Sequence, residues 1–161
     1  MEEFLEHGNS PLLRDNFIAE IEPYEIRRPE IASGAAYYFV TGSGLQYEVL
    51  FAKKKSNYLE NIINFSVLND EFEDEYSETN RGEVYRIIAT VLEIVRIYHE
   101  HHSYSLSYEF SGEYKGDEAR TGASIRTRLY YRKALQVMHP SWDIQLQENK
   151  VVVQRKKNYH E

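Results

Sequence analysis

The string Ser124-Ile-Arg-Thr-Arg-Leu-Tyr-Tyr-Arg-Lys holds the densest cluster of groups able to do chemistry in this sequence. At helical spacing Arg126 and Lys133 share one side of a cylinder and Arg128 and Arg132 another, with apolar side chains between. A guanidinium fork suits a carboxylate or a phosphate. Ser124 reads as an N-cap, so free backbone N–H groups around Ile125 and Arg126 would add to an anion site. The candidate ligand-binding set is Arg126, Arg128, Arg132 and Tyr130, joined by Glu109 from the polar face of a preceding strand. The competing expectation is that these arginines pair within the chain, with Glu109 across the sheet or with Asp117 and Glu118. With a formal net charge of −7 the second is the stronger expectation.

His99, His101 and His102 form the other cluster. His99 and His102 stand at i and i+3, so both imidazoles could reach one metal ion. The pattern is not His-Glu-x-x-His, and the expectation is a helix C-terminus carrying histidines whose cationic form the helix dipole favours, with no metal bound. Gly42-Ser43-Gly44 lacks the Lys-Ser/Thr and the following helix of a phosphate loop, and reads as a hairpin turn. The acidic block from Asp70 to Glu78 lacks the alternating ligands and central glycine of an EF-hand, and reads as a solvated loop. There is no cysteine, no Gly-x-Ser-x-Gly and no dinucleotide fingerprint. No catalytic residue is assigned, no cofactor is expected, and the chain leans away from being an enzyme.

Two elements in the middle of the chain must position these groups. Val84, Ile87, Ile88, Val91, Leu92, Val95 and Tyr98 make an apolar stripe at helical spacing from Glu83 to about His102, widened by Ile94 and Ile97. Glu83, Arg86, Thr90, Glu93, Arg96 and Glu100 fall on the other side. Asn80 reads as the N-cap, with Glu83 reaching back as in a capping box. From Tyr104 to Phe110 the sequence alternates, with Tyr104, Leu106, Tyr108 and Phe110 on one face and Ser105, Ser107 and Glu109 on the other.

Around them the patterns predict strands over Ala35–Thr41, Leu45–Lys53 and Ile62–Leu68. A second helix runs from about Ile125 to His139, ahead of Pro140. A terminal hairpin follows, Trp142–Gln147 and Lys150–Arg155, with a basic tail Arg155–Lys157 expected to fray. The resulting class is α+β, a mainly antiparallel sheet of about six strands with two helices packed on one face, in the order β-β-β-α-β-α-β-β. Residues 1–32 hold Pro11, Pro23 and Pro29 among scattered apolar residues and read as a partly extended arm, and residues 33–158 as a single α+β domain.

Composition bounds the function. At 161 residues the chain is long enough for a sizeable core. It has no apolar run of membrane-spanning length, and its acidic start is not a signal peptide, so no membrane partner is expected. A pI near 5.4 argues against bulk attraction to nucleic acid. The absence of cysteine fits a cytoplasmic location. Tyrosine accounts for 14 residues, a type suited both to strands and to half-buried interfaces.

The stretches Asn80-Arg-Gly-Glu-Val-Tyr-Arg-Ile-Ile-Ala-Thr-Val-Leu-Glu-Ile-Val, Ser107-Tyr-Glu-Phe-Ser-Gly and Arg126-Thr-Arg-Leu-Tyr-Tyr-Arg resemble a group of small uncharacterised proteins of bacteria and tailed phages. Those share an Arg-x-x-Leu-Tyr-x-Arg helix, matched here by Arg126, Leu129, Tyr130 and Arg132. The resemblance implies a fold and no activity. Taken together, the sequence points first to a non-catalytic interaction or assembly module, self-associating as a homo-oligomer, with a dimer the simplest case. The second expectation is a small-ligand or anion-binding protein using the arginines of the second helix.

Overall fold

The computed structural model describes residues 11–14, 21–68, 81–111 and 125–157. In chain order these form β1 (Ala36–Val40), β2 (Gln46–Lys54), β3 (Asn57–Val67), α1 (Arg81–His101), β4 (Ser107–Ser111), α2 (Ile125–Val137), β5 (Trp142–Gln147) and β6 (Lys150–Arg155). The order is β-β-β-α-β-α-β-β and the class is α+β, as the periodicities require. One sheet of six strands runs β1-β2-β3-β4-β6-β5. The β1–β2, β4–β6 and β5–β6 pairs are antiparallel. The β3–β4 pair is parallel, and α1 lies in the long crossover connection that a parallel pair needs. Asn80, Asp117, Glu118, Ser124 and the acidic block at 70–78 lie outside the described residues.

The chain divides into two compact units. One comprises Ile18–Phe51 and Asn64–His102, the other Met1–Phe17, Ala52–Ile63 and Ser103–Glu161. In the first, every residue of the α1 stripe is buried, and Ile94 and Ile97 are buried with it. Each large side chain so placed contributes about 1.5–3 kcal/mol. β2 alternates cleanly, with Tyr47, Val49 and Phe51 inside. Phe51 stacks on Tyr98 of α1 at 3.9 Å between ring centres, and Phe39 stacks on Tyr47 at 5.0 Å. Thr90, expected on the polar side, is fully buried. Its hydroxyl donates to the Arg86 carbonyl and accepts the Tyr24 N–H, so it fastens the extended segment after Ile21 to the helix. Arg86 holds the same segment through the Glu22 carbonyl, with its guanidinium 4.0 Å from the Tyr24 ring centre.

In the other unit Tyr108 and Phe110 of β4 face inward, and Phe110 meets Tyr130 of α2 edge to face at 5.0 Å. β4 starts at Ser107 and not at Tyr104, and the expected alternation fails over its first residues. Ser105 and Ser107 are buried while Tyr104 and Leu106 are exposed. The backbone explains the shift: Leu106 donates its N–H to Leu59 and accepts from Arg155, while the Tyr104 hydroxyl takes the Lys53 ammonium at 2.7 Å on the surface. β3 begins at Asn57, well before Ile62, because the chain turns back directly after Lys54. α2 stops at Val137, where Met138 enters an extended bridge with Leu13. Pro11–Arg14 runs as a strap alongside, with Leu12 and Leu13 buried and backbone hydrogen bonds from Arg14 to Val137 and from His139 to Leu12. Among the described residues no helix is long and apolar enough to cross a membrane.

Candidate functional site

The candidate residues of α2 are separated by burial. Arg128 and Arg132 are exposed one helical turn apart, and among the described residues neither has an ion-pair partner. Tyr130 lies on the opposite side, its ring fully buried against Phe110. Arg126 stands in the first turn of α2, and its side chain is outside what is described. Glu109 turns elsewhere: its carboxylate accepts the Lys54 ammonium at 2.7 Å and lies 3.8 Å from Lys150. The Glu109 contact is the largest influence on Lys54 and holds its ammonium above the ordinary lysine range.

The histidines do not form a surface cluster. His99 and His102 are buried. The His102 ring stacks on Tyr98 at 3.8 Å, and its Nδ1 lies 2.9 Å from the Tyr98 carbonyl. A carbonyl only accepts, so Nδ1 carries the proton. Among the described residues no group of three His, Asp or Glu side chains could hold a metal ion.

Glu83, the capping-box candidate whose partner Asn80 lies outside the described residues, also acts at a distance. It reaches the β1–β2 turn, where its carboxylate accepts the Ser43 N–H at 2.8 Å and the Ser43 hydroxyl at 2.9 Å. Burial alone would push this carboxyl up, but the hydrogen bonds from Ser43, Thr41 and Tyr24 outweigh it and hold it below its ordinary value. The glycine turn thus binds a carboxylate of its own unit through the N–H that a phosphate loop would offer. Gly44, at φ 93°, supplies the left-handed backbone the turn needs. In the same unit Glu25, Arg27, Tyr38 and Gln46 line an open cleft of about 660 Å³ together with Val40 and Leu68.

Two features of the β5–β6 hairpin stand out. The first is the corner at its open end. Trp142 and Arg155 are register partners, and the guanidinium carbon lies 5.2 Å from the indole centre. Tyr108 flanks the indole at 6.2 Å, and the indole N–H donates to the Pro11 carbonyl. Arg155 Nη2 donates to the Ser103 carbonyl at 2.8 Å, while its Nε is buried with no acceptor among the described residues. Arg155, expected in a frayed tail, is the last residue of β6, and the Lys156 N–H still donates to the Ser141 carbonyl at 2.9 Å.

The second feature is the outer edge of β5. Gln147 pairs with Lys150 across a two-residue turn, so Asp143, Gln145 and Gln147 bond inward to β6 while Ile144 and Leu146 direct N–H and C=O outward. Consistent with that phase, the outward Trp142 N–H is taken by the His139 carbonyl. Among the described residues nothing pairs with the edge at Ile144 and Leu146. Leu146 is 37% exposed, and the strand carries none of the lysines, prolines or bulges that usually guard an edge.

No family model matches the chain, and no curated protein or solved structure does so either.

Proposed function

We propose that this chain is a non-catalytic interaction module that self-associates as a two-fold dimer through β5. The observation that carries the proposal is the unguarded edge at Ile144 and Leu146. Two copies of β5 running antiparallel about Gln145 would set Ile144 opposite Leu146 of the second copy, in the hydrogen-bonded phase both residues already present. Asp143 would then face Gln147, so no like charges oppose one another. Ile144 and Leu146 share the face of Val153 and Val151, their β6 partners, and both valines are fully buried. The contact would extend that apolar face and cover Leu146. A charge at the edge tests this: Leu146→Lys should leave the fold intact, since the site is half open already, and shift the species from dimer to monomer.

A cytoplasmic location, supported by the lack of cysteine, and the bacterial or phage origin implied by the Arg126–Arg132 pattern belong to the same proposal. A second reading, anion binding on α2, is supported by the exposure of Arg128 and Arg132 without ion-pair partners among the described residues. Loss of phosphate binding on Arg128→Ala with Arg132→Ala, at unchanged stability, is its test.

A further inference from the structure

An arginine buried at the end of a core strand normally brings a carboxylate with it, because desolvating a guanidinium costs several kcal/mol unless the charge is compensated. Among the described residues Arg155 has no such partner. Among the described residues no Asp or Glu lies in salt-bridge contact with it, and its one hydrogen bond from the guanidinium goes to a neutral carbonyl, that of Ser103. The Nε–H is sealed from solvent, with no acceptor among the described residues. A second group shares this condition: Ser105 is fully buried, and its hydroxyl has no hydrogen-bond partner among the described residues. Leaving a buried donor unmade costs about 1–3 kcal/mol. Ser105 lies just ahead of β4, and its neighbour Leu106 accepts the Arg155 N–H. Burial lowers the guanidinium pKa, against a smaller upward influence from Tyr108.

The face of Trp142 supplies the rest. The indole lies at cation–π distance from the guanidinium and is itself held by Tyr108 and the Pro11 carbonyl, so the arginine head is confined to one orientation before anything binds. Arg155 as a whole is only half-buried, so part of the residue outside the sealed Nε meets solvent.

We propose that Arg155, positioned by Trp142 and Ser103, is the anchor of a binding site for a small oxyanion, a carboxylate or phosphate group. This site is distinct from the β5 edge and from the exposed arginines of α2.

The sequence contains a single tryptophan, so its fluorescence reports on this corner alone. The full chain is titrated with sodium acetate and, separately, with inorganic phosphate, each against sodium chloride of matched ionic strength. The Trp142 emission and the Arg155 Nε–H resonance are followed by fluorescence and NMR. A saturable change in both signals with acetate, phosphate or both is expected, and the arm that saturates identifies the group. Arg155→Gln should weaken the affinity at least about tenfold, the loss of one charge-assisted contact. Because the NMR signal is read on the unmodified chain, a variant that fails to fold does not remove the test. A change no greater than that with chloride, or an Arg155 resonance that stays in place at saturation, overturns the proposal.

Discussion

Glu83 on α1 accepts the backbone N–H of Ser43 at 2.8 Å, so a helix carboxylate closes the glycine turn between β1 and β2. Its folded-state pKa is lowered, the hydrogen bonds outweighing the effect of burial. A depressed carboxyl contributes stability that is present above its unfolded pKa of about 4.3 and is lost as pH falls through the folded value. Thermal melts from neutral pH downward should therefore show a loss below about pH 4.3 that is smaller in Glu83→Gln. That variant should be less stable at neutral pH by about 1–2 kcal/mol. An unchanged acid limb would mean that the latch contributes nothing.

Lys54 and Glu109 should couple. Both side chains are partly screened from solvent, so a double-mutant cycle with Lys54→Met and Glu109→Gln should return about 0.5–1 kcal/mol. The raised Lys54 pKa places this contribution below the ordinary lysine pKa, with loss only as pH rises through the folded value. A coupling of zero would show that the two groups are held together by the strands and not by each other.

Glu148 sits at φ 53° in the β5–β6 turn, a conformation in which a side chain meets the following carbonyl. Glu148→Gly should raise stability by about 0.5–1 kcal/mol in denaturant melts, the relief of strain exceeding the added freedom of the unfolded chain. Asn149 beside it is fastened by the Thr127 hydroxyl at 2.8 Å, so the turn should keep its register in the variant.

Periodicity made the elements of the fold legible, and side-chain chemistry misled most where one residue served two elements. The α1 stripe could be read because seven positions repeat one spacing. Thr90 could not, since its burial follows from a hydrogen bond to Tyr24, distant in sequence. The alternation through Tyr104 and Leu106 suggested core positions, yet the backbone reaches its strand only at Ser107, and two serines took the inside. Arg155 read as part of a frayed tail because its charge outweighed its phase. It follows Val151 and Val153 at a spacing of two, and that spacing already set it on the buried face. The candidate arginines Arg128 and Arg132 were placed correctly on one helix side, but their distance from Glu109 in bonding terms depended on Lys54, which the sequence offered only as one of three consecutive lysines.

The dimer through β5 is tested most directly by the mass of the unmodified chain in solution, measured by light scattering behind a sizing column over a dilution series. The expected mass is about 38 kDa at high concentration, twice the 19.0 kDa of one chain, falling toward the single-chain value on dilution and already there in Leu146→Lys. A mass of 19.0 kDa at every concentration would contradict it.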